Sequence, residues 1–245
     1  MKKFLPLLLL LAGCQSALDK DGYAYDPYEN VNRKIYGFND ALDRNLLKPV
    51  AKGYDTVMPQ FAQNRVEDFF GNLDDVNSLG NSMLQFKGEQ SLRVLARIIN
   101  NTFFGLLGLF DVATPLGNGK IEADFGQTLA HYGVPSGPYV VLPLLGPSTP
   151  RDSLGRATDT VISPKSLIFP GWAARISAFS LEKLQARVNL LGKEGLLDSS
   201  PDPYATLRDA WLQHRWGQLG ERVEATVPAP EPDEDDGGAA HGAAQ

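Results

Sequence analysis

The sequence predicts an all-α fold, a single domain of amphipathic helices. Apolar residues recur at steps of three and four in several segments, and strands do not alternate with helices. Two short apolar runs, 103–110 and 137–147, contain too much glycine or proline for long helices or central strands. No boundary between domains is visible from residue 26 to residue 226. We therefore expect one helical domain, 26–226, that includes short irregular apolar segments.

The first helix is predicted to begin near Asp26. Asp26 is a typical N-cap, Pro27 suits the first turn, and Glu29 is placed as in a capping box. Pro49 is expected to interrupt this helix. Its apolar face consists of Tyr28, Val31, Ile35, Phe38, Leu42 and Leu46.

Later helices are marked by periodicity or by capping residues. Residues 59–70 repeat the apolar pattern, 76–83 repeat it more weakly, and 92–103 carry Arg93 and Arg97 opposite the apolar face. The remaining signals are Asp124 with Gly133, Thr149 before Pro150, a helix from Trp172 that ends by Gly192, and Asp202 before Pro203.

The N-terminus has the pattern of a lipoprotein signal peptide. Lys2 and Lys3 precede a short apolar run that ends in Leu-Ala-Gly-Cys, and this sequence resembles the lipobox of bacterial lipoproteins. We expect residues 1–13 to be removed, Cys14 to be lipidated, and residues 14–25 to form a tether. Several acyl chains on one cysteine would anchor the protein stably. Gln15 is not the aspartate that signals inner-membrane retention in many lipoproteins, which favours the outer membrane.

Composition excludes several function classes. The net charge of the whole chain is −6, and it becomes −8 without Lys2 and Lys3. When five acidic tail residues are also left out, the net charge of the body is −3. The body therefore lacks the basic face that nucleic-acid binding needs. Cys14 is the only cysteine. Phosphate-loop and nucleophile-elbow motifs are absent from the sequence, and no metal ligand set is evident. Asp124, His131 and Ser136 form the one conceivable catalytic group, but nothing positions an oxyanion hole there. We expect no enzyme activity, no cofactor and no metal.

Ordered motifs extend along the chain from about Asp26 to Leu212. They include Asp26-Pro27-Tyr28-Glu29 with Asn32-Arg33 and Phe38-Asn39, Gly108-Leu109-Phe110-Asp111, Gly137-Pro138-Tyr139 and Asp202-Pro203-Tyr204, and the strongest are Asp124-Phe125-Gly126-Gln127-Thr128-Leu129 and Tyr132-Gly133-Val134. In this order they resemble the VacJ/MlaA family of outer-membrane phospholipid-transport lipoproteins. Two positions depart from the family pattern, because Leu107 and Phe86 replace expected glycines.

The resemblance implies a ring- or disc-like helical fold around an amphipathic channel, placed in the outer membrane against a porin trimer. Such a protein would take mislocalised phospholipid from the outer leaflet and pass it to a soluble periplasmic carrier, MlaC, without breaking a bond. A lipid with about 30 methylenes would lose roughly 24 kcal/mol of burial in water, at about 0.8 kcal/mol each. A channel therefore needs a continuous apolar wall and a polar exit.

The expected channel residues lie in the two irregular runs, on the first helix, and just before the first run. They are Phe38, Asn39, Asn100, Asn101, Phe103, Gly105, Leu106, Gly108, Tyr139, Val141 and Leu142. Phe38 fits a plain core position equally well, and Gly105 and Gly108 fit simple turns. Two other functions remain open, an outer-membrane lipid hydrolase and a scaffold lipoprotein that stabilises porin without moving lipid.

Residues 227–245 combine proline, acids, glycine and alanine, and this composition predicts a disordered acidic tail. We predict that truncation after Val227 leaves the thermal unfolding midpoint and the amount of phospholipid exposed at the cell surface unchanged. A change in either quantity in cells that express the truncated chain would contradict this prediction.

Overall fold

The computed structural model describes residues 26–220. The predicted signal peptide, Cys14, the tether and the acidic tail lie outside the described residues. Most of residues 26–220 are helical, which confirms the predicted fold class. The helices are α1 Glu29–Leu42, α2 Lys48–Val57, α3 Gln60–Leu84, α4 Gly88–Ile99, α5 Phe125–His131, α6 Pro150–Ile162, α7 Lys165–Ile168, α8 Trp172–Val188, α9 Gly195–Asp198 and α10 Pro203–Leu219.

The second irregular run forms a small hairpin, which the sequence did not predict. Strands β1 Val140–Leu142 and β2 Gly146–Ser148 pair antiparallel, with Val141 opposite Pro147. The strands are short and lie at an edge, which is where proline is tolerated.

The predicted cap at Asp26 is wrong. Helix α1 begins at Glu29, its N-cap residue is Tyr28, and no side chain caps it. The Asp26 carboxylate instead accepts hydrogen bonds from Asn32 Nδ2, at 2.8 Å, and from the Tyr204 hydroxyl. Asp26 therefore joins the segment that precedes α1 to α10, and this buried tertiary contact replaces the local one.

The predicted interruption at Pro49 is also wrong in form. The chain stays helical through a π-helical turn, Asp43–Leu47, in which the amide of Lys48 donates to the carbonyl of Asp43. Pro49 then lies in the first turn of α2, where its missing N–H costs little. The separate patterns predicted at 59–70 and 76–83 form one helix, α3.

Three predicted caps are confirmed. The side chain of Asp124 accepts from the amide of Gln127 at 2.8 Å, which begins α5. Thr149 and Asp202 accept in the same way from amides three residues later and begin α6 and α10. Local capping chemistry therefore fixed these three starts.

The helices bury polar side chains and expose apolar ones. On α4, Arg97 is 2% exposed whereas Leu92, on the predicted apolar face, is 69% exposed. Helix α3 repeats this arrangement, since its buried residues are Gln63, Phe70, Asn72, Leu73, Asp75, Ser78, Asn81 and Ser82. Large contiguous apolar surfaces are typical of faces that contact other proteins or lipid rather than water.

A buried ion-pair network holds α3, α4 and the loop after α4 together. Arg97 Nε lies 3.1 Å from the carboxylate of Asp75, and Arg97 Nη2 lies 3.2 Å from that of Asp111. Burial raises the pKa of Asp75. Burial also acts to raise the pKa of Asp111, but hydrogen bonds from Thr114 and Arg97 outweigh it and lower that pKa.

A second network joins α10 to α5 and α6. The Arg215 guanidinium contacts Asp152 at 2.9 Å and Asp124 Oδ1 at 2.8 Å. Helices α5 and α6 approach closely below it, because a Cβ atom at Gly155 would lie 2.3 Å from the amide nitrogen of Gly126. A nearby apolar core consists of Tyr139, Val141, Tyr204, Leu212 and Trp216.

Contacts between successive elements form a closed series that begins and ends at α1. Helix α1 contacts β1, α2 contacts α8, α8 contacts α3, α3 contacts α5, and α5 contacts α10. The apolar core joins α10 back to the hairpin and to α1. This closed circuit agrees with the ring-like architecture that the resemblance implies.

Both departures from the family's glycine pattern occupy left-handed backbone. Phe86 has φ of 55° and Leu107 has φ of 60°. Phe86 follows α3 in a Schellman arrangement, since its amide donates to Met83 and the amide of Lys87 donates to Ser82. A side chain at such a position costs about 1–2 kcal/mol.

We predict that Phe86→Gly raises the free energy of unfolding by about 1 kcal/mol, because glycine adopts the left-handed conformation without strain. Phe86→Ala is the matched control, since it removes the same exposed ring but keeps a Cβ atom. Thermal unfolding of both variants in one detergent, followed by circular dichroism, measures the difference. Equal midpoints for the two variants would contradict the role of strain.

Candidate functional site

Three neighbouring cavities surround α8. The acidic cavity, about 400 Å³, lies between α3, the loop of residues 111–122 and α8. The apolar cavity, about 500 Å³, lies between α3 and α8 beside Leu109 and Phe169. The mixed cavity, about 580 Å³, lies between the hairpin, α6, α7 and α8. Each volume falls within the usual range of ligand sites, about 300–1,000 Å³.

The acidic cavity has a strong excess of negative charge. Among residues 26–220, the cations that line it are Arg97 and Lys120, whereas its carboxylates belong to Glu67, Asp68, Asp74, Asp111, Glu122 and Glu182. The amide oxygens of Asn72 and Gln185, which also line it, accept no hydrogen bond from the described protein groups. Both oxygens are buried.

The apolar cavity is lined mainly by hydrocarbon. Val66, Phe69 and Phe70 of α3 line one side, and Leu181 of α8 lines another. Of the residues that the structure describes, Arg65 is the one charged residue that lines it. This cavity is therefore suited to an acyl chain.

The mixed cavity combines apolar and charged walls. Leu142 and Leu145 of the hairpin and Phe179 of α8 supply apolar surface. Its charged residues are Arg156, Lys165, Arg175, Lys183, Asp74, Asp159 and Glu182. Such a wall can contact both the tails and the headgroup of an amphiphile.

The three cavities share walls. Phe70 lines both the acidic and the apolar cavity, whereas Phe169 and Ala178 line both the apolar and the mixed cavity. Asp74 and Glu182 line both the acidic and the mixed cavity. The cavities therefore adjoin one another around a single helix and form a candidate passage.

An ion-pair triad stands where the acidic and mixed cavities meet. Lys165 Nζ lies 2.7 Å from Asp74 Oδ1 and 2.8 Å from Glu182 Oε2, so the triad joins α7 to α3 and α8. Burial acts to lower the pKa of Lys165, but Asp74 and Glu182 outweigh it and raise the pKa above its usual value.

Three of the expected channel residues are exposed and lie apart from the three cavities. Phe38, Phe103 and Leu106 are exposed, and none of them is among the lining residues of the three cavities. Phe103 belongs to a π-helical turn, Asn100–Phe104, which continues α4. Their place in a lipid channel stays a prediction.

The side chain of Asn39 binds the backbone of the hairpin. Its Nδ2 donates to the carbonyl of Leu142 at 3.0 Å, and its Oδ1 accepts from the amide of Leu144 at 2.8 Å. Asn32, which is not among the expected channel residues, binds the backbone of Tyr139 and Val141 in the same way. Two asparagines of α1 thus form hydrogen bonds with backbone N–H and C=O groups of β1 and of the residues beside it.

Residues around the first irregular run pack tightly. Asn101 lines the acidic cavity, and its side-chain oxygen accepts from the amides of Val112 and Ala113. A Cβ atom at Gly105 would lie 2.2 Å from the carbonyl oxygen of Phe110. Gly108, with φ of 89°, lies against the side chain of Asn72. Both glycines therefore let neighbouring groups approach the backbone closely.

Asn100, another expected channel residue, is half-buried, and its carbonyl accepts a hydrogen bond from the amide of Gly105.

The second run is divided between core and cavity. Tyr139 and Val141 belong to the buried apolar core, whereas Leu142 lines the mixed cavity. Sequence reasoning missed the charged residues of the mixed cavity. Lys165 and Glu182 are far apart in the chain, and their periodicity is that of ordinary exposed positions. The contribution of each expected residue to lipid passage stays a prediction.

The conceivable catalytic group is not assembled. The Asp124 carboxylate is engaged by Arg215, the Ser136 hydroxyl donates to Gly137, and His131 packs against aromatic rings. Within residues 26–220, no hydrogen bond links Asp124, His131 and Ser136, and no group of acidic, histidine or cysteine residues is placed to hold a metal. None of the helices in that range is long and apolar enough to cross a membrane.

Comparisons with known proteins agree on one family. A family model described as MlaA lipoprotein matches residues 24–218. The intermembrane phospholipid transport system lipoprotein MlaA of Escherichia coli (strain K12) is 38% identical over 210 residues, which cover 83% of this chain and 82% of that protein. An uncharacterized protein of Rickettsia bellii is 38% identical over 211 residues, covering 84% and 81%.

One solved structure, described as "Structural basis for maintenance of bacterial outer membrane lipid asymmetry", has the same fold. It matches with a TM-score of 0.71 at 34% identity, covering 79% of this chain and 98% of that chain.

We predict that Lys165→Met lowers the free energy of unfolding by about 1–3 kcal/mol at pH 7, because two partly buried carboxylates lose their cation. The raised pKa means that the contribution of Lys165 is complete below about pH 10.4, the ordinary lysine value, and is lost as the pH rises through the folded value. Denaturant unfolding across this range measures the difference from wild type. The exposed Lys193, changed to Met, is the control, and an equal effect at both positions would contradict the prediction.

Proposed function

The chain belongs to the MlaA lipoprotein family, and from this premise we propose that it moves phospholipid between membranes. It takes mislocalised phospholipid from the outer leaflet of the outer membrane and passes it to a soluble periplasmic carrier, which maintains lipid asymmetry. The step is transfer without bond cleavage.

The observation that carries this proposal is the set of three adjoining cavities around α8. The apolar cavity suits acyl chains, and the mixed and acidic cavities offer charged groups for a headgroup. Moving about 30 methylenes into water costs roughly 24 kcal/mol of transfer free energy, and a passage with apolar and charged walls avoids this cost. The lumen proposed here therefore surrounds α8, and the irregular runs contribute Leu109, Leu142 and Leu145 to it.

The outward apolar surface supports a place in the bilayer. Amphipathic helices with exposed apolar faces can lie in the membrane interface, and such placement gives access to one leaflet. On α4 and the π-helical turn after it, Leu92, Phe103 and Phe104 expose most of their side chains. A lipidated Cys14 would hold this surface against the periplasmic side of the outer membrane. A porin trimer is the proposed neighbour within the membrane, and an MlaC-like protein is the proposed carrier.

We predict that Ala178→Trp blocks lipid passage. Ala178 is buried on α8 and lines both the apolar and the mixed cavity, so an indole there would fill their junction. Cells that carry this variant should expose as much phospholipid at their surface as cells that lack the gene, although the protein is present in the outer membrane. The measurement is selective labelling of outer-leaflet phospholipid in intact cells.

Ala173→Trp is the matched control, because Ala173 is exposed on the same helix and does not line the cavities. Wild-type asymmetry with a folded Ala178→Trp protein would contradict the proposed passage. Normal asymmetry after deletion of the gene would favour the scaffold function. Release of fatty acid from phospholipid vesicles, lost on His131→Ala, would favour the hydrolase.

A further inference from the structure

We propose that the mixed cavity is a headgroup site that binds the phosphodiester of a phospholipid and prefers a net anionic headgroup to a zwitterionic one. This inference rests on the proposed function, because it names the lipid class that the same passage takes.

Cations outnumber carboxylates in this cavity. Arg156 of α6, Lys165 of α7, and Arg175 and Lys183 of α8 line it, whereas Asp74, Asp159 and Glu182 are its acidic residues. The ammonium group of Lys165 is engaged by Asp74 and Glu182, and the four cations and three carboxylates of the lining sum to a net charge of +1.

The carboxylates of the cavity are already bound by protein groups. Asp159 accepts from Asn81 Nδ2 at 3.0 Å and from the amide of Phe125 at 2.9 Å. Asp74 and Glu182 share the ammonium group of Lys165. An ammonium group on a lipid would therefore compete with existing partners for these oxygens.

The remaining cations bind only neutral groups. Arg156 donates to the carbonyls of Leu145 and Pro147, at 3.3 and 3.0 Å. Arg175 donates to the carbonyls of Phe169 and Ser166, at 3.3 and 3.0 Å.

Lys183 Nζ lies 5.4 Å from the centre of the Phe179 ring. Among residues 26–220, no carboxylate lies within salt-bridge distance of Arg156, Arg175 or Lys183. Guanidinium groups keep unused N–H donors in this arrangement, and these donors match two phosphate oxygens at once.

The neighbouring cavities complete the geometry. A headgroup in the mixed cavity can direct its acyl chains past Phe169 and Ala178 into the apolar cavity, because both residues line both cavities. The acidic cavity, with six carboxylates and two cations, repels a net anion. An anionic lipid is therefore held on the mixed side.

The charge pattern separates two common lipid classes. Phosphatidylglycerol and phosphatidylethanolamine both carry the phosphodiester, but only the second adds an ammonium group. Since the surplus charge is positive and the carboxylates are engaged, the ammonium group lowers affinity here, whereas a glycerol headgroup does not.

The test uses the full-length lipoprotein purified in detergent and offered an equimolar mixture of phosphatidylglycerol and phosphatidylethanolamine with identical acyl chains. Bound lipid is quantified by native mass spectrometry. We expect wild type to retain phosphatidylglycerol in about tenfold excess, which corresponds to about 1.4 kcal/mol. Arg156→Gln and Lys183→Gln should each bring the ratio close to one, mainly by loss of phosphatidylglycerol. High salt should lower the wild-type ratio, because these cations are exposed to solvent.

Two controls keep the result interpretable. Lys193→Gln removes an exposed lysine outside the cavity and should retain the wild-type ratio. If Arg156→Gln loosens the hairpin and fails to fold, Lys183→Gln still tests the site, since its only described contact is the Phe179 ring. Arg156→Lys keeps the charge and should retain most of the preference.

A wild-type ratio of one, or variants that keep the wild-type ratio, would overturn the headgroup site. Displacement of bound phosphatidylglycerol by millimolar inorganic phosphate would assign the cations to free phosphate instead of lipid. Retention of both lipids without preference, with normal transport in cells, would refute only this inference. Failure to retain either lipid would count against the proposed function itself.

Discussion

The constraint on which the whole structure depends is the reversal of the usual partition between polar and apolar side chains. Every polar group that the helices bury needs a partner, since an unpaired buried charge or amide is costly. Arg97 pairs with Asp75 and Asp111, and Arg215 pairs with Asp124 and Asp152. These networks join α3 to α4, and α10 to α5 and α6. Because the polar faces of the helices are buried in these networks, the apolar faces point outward, where a bilayer can cover them.

The same partition explains the form of the passage. A protein with a conventional apolar interior would fill the space around α8 with side chains, and no charged cavity would persist there. Polar and charged groups line the acidic and mixed cavities, whereas the apolar cavity lies between α3 and α8, where apolar residues of both helices meet. The Lys165 triad stands at the boundary between the acidic and mixed cavities and contacts three helices at once. The polar contacts of this triad therefore both join helices and border the proposed passage.

The family resemblance is confirmed by the comparisons, and the structure adds physical reasons for several of its motifs. Asn32 and Asn39 hold the hairpin, the Asp124 motif supplies a cap and an arginine partner, and Gly126 lets α6 approach. Phe86 and Leu107 show the opposite case, because they occupy left-handed backbone where glycine would be unstrained. These motifs are thus mostly architectural, and the residues that line the cavities lie largely outside them.

The sequence by itself determined the helical class, three helix starts and the amphipathic faces, because capping and periodicity act within a few residues along the chain. Tertiary structure alone decided which face is buried, since periodicity gives a direction on a helix but not the solvent that the face meets. Tertiary packing also explains why Asp26 binds Tyr204 and does not cap α1, and why Tyr139 and Val141 lie in the core. The mixed cavity could not be read from the chain, because Arg156, Lys165 and Lys183 come from three different helices. Only the packing of those helices around α8 brings their charges to one wall.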